Sequence, residues 1–234
     1  MTRIILSGCC GKMGYTVVSE AKKQRNFEII AGFDKSENQS YCFPVFSSFE
    51  DIKMKCDAVL DFSAPANLKS LLEFAVSSKI PAVIATTGYN PDELSLIENA
   101  SRDIPIFFSY NMSVCVNLLC RLVKSAAQTL NGYDVDITEI HHRDKKDTPS
   151  GTALMIADCI KSDDTYKNSN IHSYRSGTVT GTHEVMFAGE NEVLKISHSA
   201  QSPAVFASGA LKACEFIKDK SNGLYSMDDM IRTA

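Results

Sequence analysis

Three glycines near the start of the chain have the spacing of a phosphate-binding loop, Gly8-Cys-Cys-Gly11-Lys-Met-Gly14. The residues before this loop predict a strand, and those after it predict a helix. Such a loop lets backbone approach a pyrophosphate, while the helix N-terminus offers N–H groups and partial positive charge. Asp34, 20 residues after Gly14, ends the second predicted strand, where a carboxylate can accept hydrogen bonds from a ribose. The pattern predicts a dinucleotide site; a glycine-rich turn followed by an unrelated acid is the alternative.

Two lysines bear on which dinucleotide binds. Lys35 adjoins Asp34, and Lys12 lies in the glycine loop. A carboxylate at this position favours a free 2′-hydroxyl, whereas a lysine beside it can neutralise a 2′-phosphate. We therefore expect NADH or NADPH as the cofactor.

A second concentration of chemical groups lies between positions 139 and 152. The segment reads Glu139-Ile-His141-His142-Arg143-Asp144-Lys145-Lys146-Asp147-Thr148-Pro149-Ser150-Gly151-Thr152. Adjacent histidines, an arginine and two lysines, followed by Ser-Gly-Thr at a predicted helix N-terminus, can bind and protonate a small carboxylate. A solvated polar loop is the alternative. A zinc site is not expected, since the chain has neither His-Glu-x-x-His nor a Cys/His quartet.

Other polar residues follow predicted strands. Ala85-Thr86-Thr87-Gly88 and Ser109-Tyr110-Asn111-Met112-Ser113 each close a strand, where open parallel sheets expose their ligand-binding edge. Taken alone, each is also typical of a turn followed by a helix cap. We expect His183 and His198 to be structural residues at strand ends, with Arg175 between strands and His172 facing solvent.

The elements that position these groups fall into two regions. Over roughly the first 110 residues, short apolar runs alternate with amphipathic stretches, which predicts an α/β doubly wound parallel sheet of the Rossmann type. A long helical pattern over 113–130 follows, and then residues 134–140, 179–187 and 193–197 alternate with period two. We expect the second region to be an α+β domain with an open mixed sheet.

Composition excludes several classes of protein. Hydrophobic residues make up 44% and charged residues 22% of the 234, as in ordinary globular proteins. A formal net charge of −4 argues against nucleic acid as a partner, and no apolar run approaches the roughly 18 residues that cross a bilayer. We expect a cytoplasmic protein without membrane contact. The eight cysteines show no Cys-x-x-Cys pair, so reduced core thiols and no metal site are expected.

Together these motifs resemble the 4-hydroxy-tetrahydrodipicolinate reductase (dihydrodipicolinate reductase) family of diaminopimelate and lysine biosynthesis. The resemblance also rests on Asn111-Met-Ser-Val-x-Val-Asn-Leu, Arg175-x-Gly-x-x-x-Gly-x-His183, Phe206-Ala-x-Gly-Ala210 and Gly223-Leu-Tyr-x-Met227. It implies NAD(P)H-dependent reduction of a hydroxylated cyclic imine dicarboxylate, with loss of water. It also implies a homotetramer, a dinucleotide-binding domain over 1–112 to which 204–234 return, and a substrate and oligomerisation domain over 113–203.

Carried over position by position, the resemblance assigns roles to individual residues. His141 would donate or accept a proton, Lys145 would donate one, and His142, Gly151 and Thr152 would contact substrate. Ser150 completes the expected carboxylate site. Dinucleotide contacts would come from Gly8, Cys9, Cys10, Gly11, Lys12, Met13, Asp34, Lys35, Ala85, Thr86, Thr87, Ser109, Tyr110, Asn111 and Met112.

Several positions depart from the family pattern. Glycine is usual where Ala85 and Cys115 stand, proline or alanine where Tyr110 stands, and arginine where Lys12 and Pro203 stand. These departures leave His141, His142, Lys145 and the Ser-Gly-Thr unchanged.

Two other functions are compatible with part of the sequence. A semialdehyde-type dehydrogenase would use Cys115 as its nucleophile, but the helical spacing of Val114, Leu118 and Leu119 predicts that Cys115 packs. A dinucleotide-sensing module without turnover would need no proton donors, whereas the His-His-x-x-Lys cluster supplies them.

Overall fold

The computed structural model describes residues 1–36, 41–161 and 170–233. The chain divides into two compact units, one of Met1–Ser113 with Phe206–Ala234 and one of Val114–Val205. These bounds lie within two residues of the predicted 1–112 with 204–234 and 113–203. The dinucleotide and substrate roles of the two units stay predictions.

Strands and helices alternate through the first unit, and strands dominate the second. The described strands are β1 (Thr2–Ser7), β2 (Phe27–Phe33), β3 (Val45–Phe46), β4 (Ala58–Asp61), β5 (Ala82–Ile84), β6 (Pro105–Phe108), β7 (Asp134–His141), β8 (Asn170–Arg175), β9 (Gly181–Ala188), β10 (Val193–Ala200) and β11 (Gly223–Tyr225). The described helices are α1 (Lys12–Lys23), α2 (Leu68–Ser78), α3 (Pro91–Ala100), α4 (Val114–Thr129), α5 (Gly151–Lys161), α6 (Ala204–Ile217) and α7 (Met227–Arg232).

The described residues of the first unit form a seven-stranded sheet in the order β11-β6-β5-β4-β1-β2-β3, with parallel pairings. Its central strands are continuous apolar runs, because helices cover both faces of a parallel sheet. Ile4, Ile5 and Leu6 are fully buried accordingly. The chain runs outward from β1 through β2 to β3 and then returns to β1's other side at β4. The carboxyl ends of β1 and β4 therefore flank the switch point, where such sheets open a ligand crevice.

Local sequence signals explain the helices of this unit. On α1, Val17, Val18 and Ala21 are buried at helical spacing. At the start of α3, the Asn90 side chain accepts the N–H of Glu93 at 2.9 Å, and the Glu93 carboxylate accepts the N–H of Asn90 at 2.8 Å. This reciprocal capping satisfies two N–H groups that the helix leaves open.

In the second unit, the described residues form a four-stranded mixed sheet in the order β10-β9-β7-β8. β7 is parallel to β8 and antiparallel to β9, which is antiparallel to β10. One core holds residues of α4, α5 and the sheet, among them Val123, Ile137, Ile156 and Phe187. The predicted fold class, a Rossmann-like parallel sheet plus an α+β domain with a mixed sheet, is confirmed.

Several local predictions were wrong. The segment holding His172 and Arg175, predicted as polar connection, is strand β8, whose residues alternate between exposed and half-buried. Residues Gly223–Tyr225, for which no strand was predicted, form a strand parallel to β6. Both segments are short or polar, so pairing with a neighbouring strand decides their conformation. Cys115, predicted to pack, is exposed. Within the described parts of the chain, no helix is long and apolar enough to span a membrane.

Candidate functional site

The glycine loop of the first unit follows β1 and lies against the carboxyl end of β4. Gly8 has a φ of +78°, and a Cβ there would lie 2.5 Å from the Phe62 carbonyl oxygen. A Cβ on Gly14 would lie 2.3 Å from the Gly8 carbonyl oxygen. Only glycine fits either position, and its use lets α1 begin close against the loop. Gly11 caps α1 without a side chain, which leaves the positive helix end open to an anion.

Asp34 ends up beside this loop, as its spacing predicts. Its carboxylate accepts the N–H of Cys10 at 2.9 Å and that of Ser36 at 3.0 Å. The Tyr41 hydroxyl donates to the Cys9 carbonyl oxygen at 2.8 Å. These bonds fix the loop and the acid relative to each other, and each carboxylate oxygen retains a lone pair for a further donor.

A cleft of about 260 Å³ opens between the loop and the segment after β4. Its lining includes the predicted Gly8, Gly11, Asp34 and Lys35. The other lining residues were not predicted; they are Phe33, Phe62, Ser63, Ala64, Ala66 and Asn67. Most of them follow β4, the strand beside β1, so the strand order at the switch point was the signal that could have found them.

Of the remaining predicted dinucleotide contacts, Cys9 is buried, and Cys10 and Met13 are half-buried. Lys12, at the start of α1, is exposed. The loops after β5 and β6 lie at the same edge of the sheet as the glycine loop, but they do not line the described cleft.

The side chains after β5 are largely committed to structure. The buried Thr86 hydroxyl donates to Asp61 at 2.6 Å, and the Ser63 hydroxyl donates to the other oxygen at the same distance. Burial raises the pKa of Asp61, while these two hydrogen bonds oppose the rise. Ala85 is buried and Thr87 is exposed. Thr86 thus ties the ends of β4 and β5 together through its side-chain hydroxyl.

The loop after β6 is held in the same way. The Ser109 hydroxyl donates to the Asn111 carbonyl oxygen at 2.8 Å, and the Asn111 side-chain oxygen accepts the N–H of Ser113 at 2.8 Å. Met112 is buried, and a Cβ on Gly209 would lie 1.7 Å from its carbonyl oxygen. Tyr110 is exposed, with its ring edge-on to Phe108. The predicted contacts 109–112 therefore form a hydrogen-bonded turn at the carboxyl edge of the sheet.

A buried ion pair lies at the centre of the second candidate site, in the other unit. The Glu139 side chain is fully buried and receives two hydrogen bonds from the Arg175 guanidinium, at 2.9 and 3.0 Å. Glu139 and Arg175 come together because β7 and β8 pair in parallel with His141 opposite Arg175. Glu139 lies two positions before His141, on the same face of β7. Burial raises the pKa of Glu139, but hydrogen bonds led by those of Arg175 outweigh it and bring the pKa to about 2. Glu139 is therefore ionised at neutral pH.

The His141 ring takes its orientation from this carboxylate. Its Nδ1 is hydrogen-bonded to Glu139, and its ring meets that of His183 edge-on, with centroids 5.2 Å apart. Its Nε2 faces Gly181, where a Cβ would lie only 2.9 Å away. Burial lowers the pKa of His141, while the Glu139 carboxylate opposes this. An ionised acceptor at Nδ1 selects the tautomer with the proton there, which leaves Nε2 able to accept a proton.

Arg175 also holds the loop that carries Lys145. Its guanidinium donates to the carbonyl oxygens of Asp147 at 2.7 Å and Lys145 at 3.3 Å. The Lys145 ammonium lies 2.8 Å from the Asp147 carboxylate and lowers the pKa of that carboxyl. The His142 carbonyl oxygen accepts the Lys145 N–H at 3.1 Å, which closes the turn. One guanidinium thus links the His141 dyad to the Lys145 loop.

The predicted carboxylate site at the start of α5 divides into two kinds of residue. The Ser150 hydroxyl accepts the N–H of Ala153 at 3.2 Å and contacts His183 Nε2 at 3.3 Å, and its N–H reaches Glu139 at 3.3 Å. Ser150 is therefore a buried helix cap. Gly151 is exposed, with open space where a side chain would be, and Thr152 is half-buried. The open end of the helix is the part of this segment that can meet an anion.

Three residues of this cluster were not among the predicted site residues: Glu139, Arg175 and His183. Glu139 and His141 share one face of β7 because they are two positions apart. His183, expected to be structural, is buried opposite Glu139 on β9, where burial first and then His141 lower its pKa to about 4. The period-two pattern signalled Glu139; Arg175 and His183 could be found only through strand pairing.

Comparisons with known proteins agree with this architecture. The family model "Dihydrodipicolinate reductase, N-terminus" matches residues 2–112, and "Dihydrodipicolinate reductase, C-terminus" matches residues 115–231. A 4-hydroxy-tetrahydrodipicolinate reductase of Caldanaerobacter subterraneus is 47% identical, with 99% of each chain covered. One of Clostridium tetani is 44% identical, covering 100% of this chain and 98% of the other.

A solved structure supports the fold. The dipicolinate-bound dihydrodipicolinate reductase of Paenisporosarcina sp. TG-14 superposes with a TM-score of 0.82 at 24% identity, covering 97% of each chain. The resemblance drawn from the sequence motifs is confirmed by the matches of both family models and by the full-length identity of the relatives. The chain belongs to the dihydrodipicolinate reductase family.

Proposed function

We propose that this chain reduces 4-hydroxy-tetrahydrodipicolinate to tetrahydrodipicolinate with NADH or NADPH, as part of diaminopimelate and lysine biosynthesis. The reaction adds a hydride and a proton to the substrate and releases its hydroxyl as water. The proposal rests on the family, on the dinucleotide-type cleft, and above all on the Glu139–His141–Arg175 cluster joined to the Lys145 loop. In that cluster the hydrogen bonds of one guanidinium join a ring that can exchange a proton to the loop that carries an ammonium group.

The glycine loop and the start of α1 in the first unit fit a dinucleotide. Gly8 lies so close to the Phe62 backbone that no side chain fits there. The N-terminus of α1 follows this loop and has no side-chain cap. Asp34 and Lys35 line the same cleft. When bound, the nicotinamide supplies the hydride. We assign the glycine loop residues to the pyrophosphate, Asp34 and Lys35 to the adenosine ribose, and the turns at 85–87 and 109–112 to the nicotinamide end.

The second unit supplies protons and anion-binding groups. His141, held at Nδ1 by Glu139, exchanges a proton through Nε2. The Lys145 ammonium can exchange its present partner, the exposed Asp147, for a substrate carboxylate or can donate a proton. The open first turn of α5, at Gly151 and Thr152, together with His142, would receive a carboxylate. Ser150 supports this site by capping the helix.

The alternatives have weaker support. A Cys115 nucleophile needs a low-pKa thiol in an electropositive setting with a base nearby. Cys115 lies at the start of α4, and the cluster of bases described above is at the end of β7. A sensing module would have no use for an ionised buried carboxylate that orients a histidine.

A direct assay tests the proposed reaction. Freshly generated 4-hydroxy-tetrahydrodipicolinate should cause a steady loss of NADH or NADPH absorbance that depends on both enzyme and substrate. The His141→Asn variant, which keeps a polar side chain, serves as the control and should slow turnover about 10²- to 10⁴-fold. Substrate-independent oxidation, or an unchanged rate in this variant, would contradict the proposal.

We further propose that the protein is a cytoplasmic homotetramer. The open sheet of the second unit exposes Tyr174, Val193 and Leu194, apolar side chains on its two outer strands. Light scattering of the purified chain tests the assembly: a mass close to four times 25.7 kDa is expected, and a monomer would contradict it.

A further inference from the structure

Two adjacent thiols and a carboxylate meet in the glycine loop. The sulfur atoms of Cys9 and Cys10 lie 3.8 Å apart. A carboxylate oxygen of Asp34 joins them, and the three ligand atoms all lie within 4.8 Å of one another. This group lacks the Cys-x-x-Cys spacing, because two of its members are adjacent in sequence and the third comes from the end of another strand.

The separation of the two sulfurs matches that in a tetrahedral metal site, and the carboxylate oxygen lies within 4.8 Å of both. With zinc–sulfur bonds of about 2.3 Å, two sulfurs at the tetrahedral angle lie about 3.8 Å apart. A sulfur and an oxygen bound at about 2.0 Å lie about 3.5 Å apart. We propose that Cys9, Cys10 and Asp34 form a binding site for a thiophilic divalent cation such as Zn²⁺, and that this ion and the dinucleotide exclude each other.

The surroundings allow such an ion to enter. Cys10 and Asp34 are half-buried, so solvent reaches part of each, whereas Cys9 is buried. Gly32 leaves the space that Cys9 occupies, since a Cβ there would lie 2.5 Å from the Cys9 sulfur. The bonds from the Cys10 and Ser36 N–H groups to Asp34 orient its carboxylate and leave lone pairs for a metal. Binding releases two thiol protons to solvent, and a water completes the fourth position.

The metal ion and the dinucleotide exclude each other because both would use Asp34. This exclusion rests on the proposed function, in which Asp34 binds the adenosine ribose. A carboxylate that coordinates a metal cannot at the same time accept both hydroxyls of a ribose. Asp34 also lines the cleft proposed for the dinucleotide, so an ion bound to it would occupy the ribose end. Metal binding at this site would therefore inhibit the enzyme in competition with NADH.

Cadmium provides a readout that is independent of turnover. Titration of the reduced, dinucleotide-free full chain with Cd²⁺ should produce a thiolate-to-metal absorption band in the ultraviolet that saturates at one equivalent. Cys10→Ser should lose most of this band, and Asp34→Asn should weaken binding at least about tenfold, since it removes the negative charge of one ligand. Cys115→Ser, which removes an exposed thiol of the other unit, is the matched control and should leave the band unchanged.

Competition is measured separately. Saturating NADH should suppress the cadmium band, and one equivalent of Zn²⁺ should raise the apparent Kd for NADH, measured by nicotinamide fluorescence. A band of equal strength in the Cys10→Ser variant would overturn the site. Cadmium and NADH binding together without interference would overturn the exclusion. If the metal-free chain fails to bind NADH, the proposed function fails instead, and the cadmium titration still decides the metal site.

Discussion

Replacing Glu139 by glutamine tests the buried pair that organises the second site. Folding lowers the pKa of this carboxyl from 4.5 to about 2. At 1.36 kcal/mol per unit, the ionised carboxylate stabilises the folded state by about 3 kcal/mol at neutral pH. Glutamine has the same shape but no charge, and it leaves the guanidinium of Arg175 without its counter-ion. We expect Glu139→Gln to lower the free energy of unfolding by about this amount.

The pH dependence of this loss has a definite sign. A carboxyl whose pKa is lower in the folded state stabilises the protein above its unfolded pKa, and that contribution disappears as pH falls through the folded value. The part of the difference between wild type and variant that comes from this carboxyl should be constant at neutral pH and shrink between pH 4.5 and about 2. Urea unfolding at one fixed protein concentration measures it.

A control on the same sheet separates this effect from the general loss of a negative charge. Glu184 on β9 pairs with Lys195 at 2.9 Å, but both side chains are at least one-third exposed. Such a pair contributes roughly 0.2–1 kcal/mol, so Glu184→Gln should be nearly neutral. If Glu139→Gln unfolds at the same urea concentration as Glu184→Gln at pH 7, the stabilising role of the buried pair is refuted.

The remaining predictions concern catalysis and cofactor choice. One limb of the pH–rate profile should follow the titration of His141, and Glu139→Gln should move that limb to lower pH. Burial lowers the pKa of His141, and the variant lacks the carboxylate that opposes this effect. An unmoved limb would show that the dyad does not act in turnover. Lys145→Ala should reduce kcat while leaving the fluorescence-measured Kd for NADH unchanged, because Lys145 lies in the unit without the glycine loop; a loss of NADH affinity alone would argue against its role. Asp34→Ala should shift the ratio of kcat/KM values toward NADPH, and an unchanged ratio would show that the carboxylate does not reach the ribose. Gly181→Ala would place a Cβ 2.9 Å from His141 Nε2, so kcat should fall about tenfold or more even where the unfolding midpoint is retained; wild-type kcat would mean that the position of the ring is unimportant.

Local spacing determined much of the first unit. Parallel strands buried on both faces read as short apolar runs, so β1, β2 and β4 could be recognised one at a time. The glycine loop and the Asn90 cap depend on residues a few positions apart, within reach of backbone geometry alone. The period-two pattern of β7 likewise revealed a strand with one buried face, although it did not show that Glu139 would lie there as an ion.

The tertiary structure decided which distant residues meet. Arg175 reaches Glu139 across 36 positions because polar β8 pairs in parallel with β7, and nothing in its own composition requires that pairing. Cys10 and Asp34 likewise meet only because β1 and β2 are neighbours in the sheet. Strand order and register depend on burying the apolar faces of all strands together, and that balance is a property of the whole chain rather than of any one segment.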